Sequence, residues 1–272
     1  MAVQRHFLGW DAPVVDKVRD FLIPQAPETA VDLRQTLVLV PTRQAGRRLR
    51  ESLTVYCSLF GVDLSAPVLR TPFGLLNPAG PVASGIDTIA VWTSILRQIE
   101  VEHFSALFPN LTVHRDFPWA LSTAQLLQSL RDELAEHGLT AEAVVTTARE
   151  QLEEYERWDD IARLEAAFVS RLESNHGLRD PSRELLRQAG EPRIEDGCER
   201  IVVACVPDPS PVALVALKSM AEHIPVVVLI HAPEALSSAF DAWGRPITAY
   251  WKSAPLDVPD AGDSILLASS SS

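Results

Sequence analysis

The sequence contains few cysteines, which argues against a disulfide-stabilised or zinc-binding protein. Only three occur among 272 residues, at Cys57, Cys198 and Cys205, and no two of them form a CxxC pair. Small disulfide scaffolds and zinc sites need more cysteines at closer spacing. Isolated cysteines of this kind are typical of the interior of a reduced protein. We therefore predict a cytoplasmic location.

Long apolar segments and targeting signals are also missing. No run reaches about 18 apolar residues, the length that crosses a bilayer, and the N-terminus, MAVQRHFLGWDAP, lacks the apolar core of a signal peptide. The apolar content of 47% and charged content of 22% are typical of a globular protein. We expect no association with membranes.

The motifs that would indicate hydrolase or metalloenzyme chemistry are absent. The sequence contains neither GxSxG nor HExxH, and its seven histidines are scattered. None of them has a partner at the spacing that a metal site needs. We expect no catalytic residue, no metal ion and no cofactor in this chain.

Negative charge dominates, but it is unevenly distributed. The formal net charge is -12, so the molecule as a whole repels polyanions. Residues 1–60 nevertheless carry eight Lys and Arg against six Asp and Glu, whereas the remainder carries 16 against 30. Any contact with nucleic acid is therefore expected near the N-terminal part of the chain.

The most informative stretch is TLVLVPTRQAGRRLRESL, residues 36–53. Residues 37–40 form a short apolar run rich in β-branched side chains, which predicts a buried strand. Pro41 ends the strand, and Thr42 is placed to cap a helix whose apolar residues recur at helical spacing. The turn thus follows a buried strand, which is where open α/β sheets bind ligands.

The first turns of this helix are basic. They contain Arg43, Arg47, Arg48 and Arg50, and Arg43 and Arg47 are i,i+4 neighbours on one helix face. Helix N-terminal amides together with guanidinium groups suit a phosphate oxygen. The alternative interpretation is a structural strand–helix unit whose basic face is only solvated.

The first strand, predicted at residues 5–10, leads into GWDAPVVDK. A nucleotide-binding P-loop would have GxxxxGK[ST] at this place. Instead the turn has one glycine and an acidic residue, Asp11, which we predict to cap the next helix with Pro13 in its first turn. Lys17 falls inside that helix. The pattern indicates a P-loop-like topology that does not hold ATP in the usual way.

The middle of the chain is helical and is flanked by α/β elements. We predict a helix over 86–108, then helices throughout 117–190, the first of them over 124–137 with Ser122 or Thr123 as its cap. Buried strands follow at 200–206 and 225–230, joined by a helix over 212–223. Further expectations are a helix over 240–243 and the start of a strand at 265–268, so that the chain is a fragment of a longer one.

Several segments resemble a known family. These are FLGWDAP, LVLVPTRQAGRRLRESL, YERWDDIARLEAAFVSRL, ERIVVACVPDPSPVALVAL and PVVVLIHAPE…FDAWGRP, which together span most of residues 5–251. They resemble the AddB-type subunits of bacterial double-strand-break repair helicase–nucleases, within the PD-(D/E)XK nuclease family. The resemblance is most specific at PTRQAGRRL and at HAPE…FDAWGRP.

The resemblance implies an α/β fold with a P-loop/RecA-like parallel sheet and an inserted all-helical subdomain. Residues 1–115 would form the first part of the RecA-like domain, 116–192 the inserted subdomain and 193–272 the second part. In related helicases the segment like Pro41-Thr42-Arg43 touches the backbone of single-stranded DNA. That role is carried over to Thr42, Arg43 and Arg47, and the implied partners are single-stranded DNA and a helicase–nuclease partner subunit.

The sequence departs from active members of this class at two places. The nucleotide-binding lysine is missing, and the strand at 200–206 runs through Cys205 instead of ending in a metal-binding acid. Asp208 is not followed by the (D/E)xK triplet of the nuclease. We therefore expect a non-catalytic, helicase-like domain. Two alternatives stay open: a protein-interaction module without DNA binding, and a working P-loop ATPase.

Overall fold

A computed structural model describes residues 3–76, 81–110 and 114–254. Its main sheet has five parallel strands in the order β1-β7-β6-β3-β5, and β2 pairs with β4 in a separate two-stranded sheet. The strands are β1 (Gln4–Phe7), β2 (Val31–Asp32), β3 (Thr36–Leu39), β4 (Leu64–Ser65), β5 (Val68–Arg70), β6 (Arg200–Ala204) and β7 (Val226–Ile230).

The helices of the described residues fall into two groups, one around the sheet and one between β5 and β6. They are α1 (Val14–Leu22), α2 (Arg43–Leu59), α3 (Gly85–Leu96), α4 (Phe117–Glu136), α5 (Ala141–Thr147), α6 (Tyr155–His176), α7 (Pro181–Gly190), α8 (Pro211–Ala221) and α9 (Thr248–Ser253). Short 3-10 turns cover Pro72–Leu75, Val101–Phe104 and Glu234–Ala239.

Helices cover both faces of the main sheet. Alternate side chains of the strands point to opposite faces, so that Val38 packs with α1 and α2 while Leu39 packs with α8. Because both faces are covered, β3, β6 and β7 are apolar without a polar alternation. The prediction of an α/β fold with a parallel sheet is confirmed.

The helices between β5 and β6 form a helical block with its own core. Helices α3, α4 and α6 pack around Trp92 and Phe168, whose rings stack at 4.4 Å between centroids. Helix α7 joins this block to the sheet through Ala189, which clusters with Val212 of α8. Helix α3 packs into this block although it lies before residue 116, the predicted start of the inserted subdomain. The predicted domain boundary at 116 stays a prediction.

A buried ionic cluster lies inside the helical block, and nothing in the sequence pattern predicted it. Arg131 donates to Glu165 at 2.7 Å and to Asp180 at 2.6 Å, and all three side chains are at least nine-tenths buried. Burial lowers the pKa of Arg131, but the hydrogen bonds and charges of Asp180 and Glu165 outweigh it and raise that pKa. The cluster ties α4, α6 and the start of α7 together.

Three predicted helices differ from the observed ones. Helix α4 begins at Phe117 because Asp116 caps it by accepting the N–H of Trp119, so Ser122 and Thr123 are interior positions. The helix predicted over 86–108 ends at Leu96 and is followed by a separate 3-10 turn.

The segment predicted as a helix over 240–243 is a turn instead. Asp241 accepts the backbone N–H groups of Trp243 and Arg245, and Gly244 has a φ of +78°. Phe240 is extended, with a φ of -130° and a ψ of 143°, and it pairs with Pro246 in an antiparallel bridge, so this segment does not form a helix. The strand predicted at 265–268 lies outside the described residues.

Candidate nucleic-acid interface

The carboxyl ends of the five parallel strands lie along one side of the main sheet, which we call the carboxyl edge. From β3 the chain goes on to β5 on one side, whereas from β6 it goes on to β7 on the other. The neighbouring strands β3 and β6 therefore flank a topological switch point, which is where open α/β sheets form a binding crevice. The segments that border it begin at Val40 and Cys205.

Helix α2 is capped at its N-terminus and packs closely against the sheet at this edge. Thr42 accepts the N–H of Ala45 at 3.1 Å, which confirms the predicted cap. Gly46 lets the helix approach the sheet closely, since a Cβ there would lie 3.2 Å from a methyl carbon of Val40. Leu53 is fully buried beneath the helix. The Thr42 hydroxyl accepts in the cap and still has a proton to donate to a ligand.

The arginines of α2 are exposed and unpaired. Among the described residues, the side chains of Arg43, Arg47, Arg48 and Arg50 have no hydrogen-bond or ion-pair partner. Arg43, Arg47 and Arg50 follow the i,i+4,i+7 spacing of one helix face, and we call them the arginine stripe. Arg48 lies about 100° around the helix from Arg47.

The stripe contains both predicted arginines and one that was not assigned a role. Arg43 and Arg47 come together as their spacing predicted, and Arg50 extends the same face by one turn. The i,i+7 spacing to Arg43 was the available signal. The three guanidinium groups and the N-terminal amides of α2 form a surface suited to several phosphate groups along a nucleic-acid strand.

The position where a P-loop would bind nucleotide is occupied by an internal ion pair. Asp11 accepts from Lys17 Nζ at 2.8 Å, and this hydrogen bond lowers the pKa of Asp11. The prediction that Asp11 caps α1 is wrong, because its carboxylate points to Lys17 and the helix begins after Pro13 without a side-chain cap. The only lysine near this turn is therefore neutralised by a carboxylate.

Two backbone amides directly after β1 are also already hydrogen-bonded. Leu8 and Gly9 donate to the carbonyls of Ile230 and Ala232 at 2.9 and 3.0 Å. P-loops hold phosphates with free amides of this kind, so these two are not available to a phosphate. Trp10 Nε1 donates to the His231 carbonyl at 2.7 Å while the residue stays 58% exposed. A fixed, exposed indole offers a stacking surface to a nucleobase.

The end of β6 carries a thiol where an ATPase would have a metal-binding acid. Burial raises the pKa of Cys205 to about 12, although a hydrogen bond from the His231 backbone opposes that shift. Cys205 also has a φ of +52°, which is uncommon for a non-glycine residue. Asp208 is exposed beyond Pro207. In the described ranges, no group of three or more His, Cys, Asp or Glu is arranged for a metal ion.

We expect the purified chain to show no micromolar affinity for ATP and Mg²⁺ by titration calorimetry. The Asp11 carboxylate repels the triphosphate, and Lys17 would have to leave its ion pair to bind it. D11A serves as a comparison, since it frees Lys17 without restoring the glycine-rich loop. Micromolar binding by the unaltered chain would overturn the description of this turn as closed to nucleotide.

Comparisons with protein-family models and with curated proteins find no match. The similarity to AddB-type subunits consequently stays a prediction that depends on the quoted motifs. Over the parts of the chain that the structure describes, no helix has the length and apolar character needed to cross a bilayer.

Proposed function

We propose that this chain is an ATPase-inactive, helicase-like domain of a DNA double-strand-break repair nuclease subunit. It acts as a scaffold that contacts single-stranded DNA through Thr42, Arg43 and Arg47. The observation that carries the proposal is an unpaired arginine stripe at the carboxyl edge of a parallel sheet. At the same edge, in the turn after β1 where a P-loop would bind nucleotide, Lys17 is paired with Asp11.

The topology supports a RecA-like form of the α/β fold. The sheet is doubly wound, and the helical block lies between β5 and β6, where the resemblance implies an inserted subdomain over 116–192. The strand that would carry the phosphate loop, β1, and the strand that would carry the metal-binding acid, β6, both end at the carboxyl edge. In a RecA-like domain these two strand ends would hold nucleotide and metal, and in this sequence neither the P-loop GK[ST] nor an acid at the end of β6 occurs there.

The proposed contact is electrostatic and independent of base sequence. Arginine contacts to backbone phosphates release counterions, so that affinity falls steeply with salt. A net charge of -12 opposes approach of a polyanion, and the local positive potential of the stripe is therefore needed to offset it. We expect weak binding that is measurable at low salt.

The test is fluorescence anisotropy of a labelled oligothymidylate over a range of salt concentrations. With R43A/R47A we expect the slope of log K against log salt to decrease in magnitude by about 1.4, because each lost contact to single-stranded DNA removes about 0.7. The matched control is R97A/R149A, which removes two exposed arginines from the helical side of the chain. If the salt slope changed equally in both variants, the effect would come from the change in net charge alone, and the proposal would be contradicted.

A protein-interaction role is the second candidate, and the helical block favours it. Residues 116–192 contain 16 acidic and eight basic residues. Much of the acidic surface faces solvent, as at Glu142, Glu153 and Glu156, and would suit a basic surface on a partner subunit. Absence of any salt-dependent DNA binding by the unaltered chain would favour this function over the first.

A further inference from the structure

A second basic surface lies on the helical block, outside the stripe. A groove of about 670 Å³ runs beside α7 and is lined only by charged residues. We call it the α7 groove. Its arginines are Arg179, Arg183, Arg187 and Arg193, and its acids are Glu173, Asp180 and Glu184.

Two of the three acids in the groove are already neutralised by other side chains. Asp180 is fully buried and bonds to Arg131 beneath the groove. Glu184, whose side chain is 4% exposed, accepts from Arg187 at 2.7 Å and lies 3.5 Å from Arg179. The buried Glu184 carboxylate thereby holds two half-exposed arginines in place.

The other two arginines are free to bind a ligand. Arg183 and Arg193 are exposed, and their guanidinium groups have no hydrogen-bond or ion-pair partner among the described residues. Unpaired arginines beside two fixed ones form a cluster of the kind that recognises phosphate groups. This cluster stands out because the surrounding helical block is acidic.

The spacing of the cluster suits a chain of phosphates more than a single anion. Arg183 and Arg187 are one helical turn apart, which is about 6 Å along the axis of α7, and Arg179 precedes Arg183 by the same number of residues. Successive phosphates of a nucleic-acid strand are separated by a similar distance. The spacing of Arg183 and Arg187 along α7 is therefore compatible with contacts to more than one phosphate.

The groove and the stripe lie near the same edge strand of the main sheet, β5, but on opposite faces of the sheet. Arg193 is two residues from Glu195, which accepts from Arg70 at the end of edge strand β5. Ala189 of α7 clusters with Leu76, which follows the 3-10 turn after β5. Gly46 of α2 faces Leu69 of the same strand from the other face of the sheet. Strand β5 therefore separates the stripe from the groove.

We infer that the α7 groove binds backbone phosphates of the same nucleic-acid strand that contacts the arginine stripe. The nucleic-acid strand would pass from α2, around edge strand β5 of the sheet, to α7. This inference rests on the proposed function, since it assumes that the chain binds single-stranded DNA. It adds a second site that is independent of the residues assigned from the sequence.

The test uses R183A/R193A, because removing two unpaired arginines leaves the buried ion pairs intact. With a labelled oligothymidylate long enough to reach both sites, we expect the salt slope to decrease by about 1.4. The decrease should add to that of R43A/R47A in the fourfold variant. R97A/R149A is again the control, and R183Q/R193Q replaces the alanine variant if its melting temperature falls.

The outcomes separate the two proposals. An unchanged slope in R183A/R193A together with a reduced slope in R43A/R47A overturns the groove alone. No binding by the unaltered chain overturns both proposals. Tighter binding of polyglutamate than of the oligothymidylate, lost in R183A/R193A, would identify an acidic protein as the ligand and overturn the nucleic-acid assignment.

Discussion

Replacing Arg131 by Met is expected to lower the free energy of unfolding by about 3–5 kcal/mol. The substitution leaves the carboxylates of Glu165 and Asp180 buried without their counter-charge. Removing one partner of a buried ion pair costs this much because the remaining charges stay desolvated. Urea unfolding at neutral pH measures the loss.

Two further variants separate this effect from a general loss of charge. R157M removes an arginine whose exposed ion pair with Glu154 lies at 3.0 Å, and should cost less than about 1 kcal/mol. The triple variant R131M/E165Q/D180N removes all three charges and should recover much of the stability. A loss in R131M no larger than that in R157M would show that the cluster does not stabilise the block as described.

Replacing Phe168 by Ala is expected to cost about 3–5 kcal/mol. Phe168 is fully buried at the centre of the helical block, and its ring stacks on Trp92. The substitution removes the apolar area of the ring and leaves a cavity that the surrounding helices fill only in part. The free energy of unfolding from urea or thermal denaturation measures it.

The matched control is F117A, because Phe117 begins α4 in the same block with 54% of its surface exposed. That variant should stay within about 0.5 kcal/mol of the unaltered chain. The Arg131 guanidinium lies over the Phe168 ring at 4.7 Å, so the two substitutions share a contact. We expect R131M and F168A to be non-additive, and strict additivity would contradict this description of the core.

The sheet and its helices were predictable because their signals are local. The apolar runs of β3, β6 and β7 lie within two residues of their predicted positions. The Thr42 cap and the spacing of Arg43 and Arg47 follow from residues that are close in the chain. Each of these features needs only strand or helix periodicity and a capping residue.

The features that were missed depend on partners far apart in the sequence. Arg131 meets Glu165 and Asp180 across 34 and 49 residues, and no periodicity indicates such a cluster. Aspartate is a preferred helix-capping residue, yet the carboxylate of Asp11 binds Lys17 and does not cap the helix. The α7 groove was not predicted, because its four arginines are interspersed with acidic residues in and next to a segment of negative net charge.

Arginine footprinting tests the central claim most directly. The chain is treated with phenylglyoxal with and without saturating oligothymidylate, and modification is read by mass spectrometry. We predict that Arg43 and Arg47 are protected while Arg48, on another face of α2, reacts equally in both samples. Equal modification of Arg43 and Arg47 with and without bound oligonucleotide would contradict a nucleic-acid contact at the carboxyl edge.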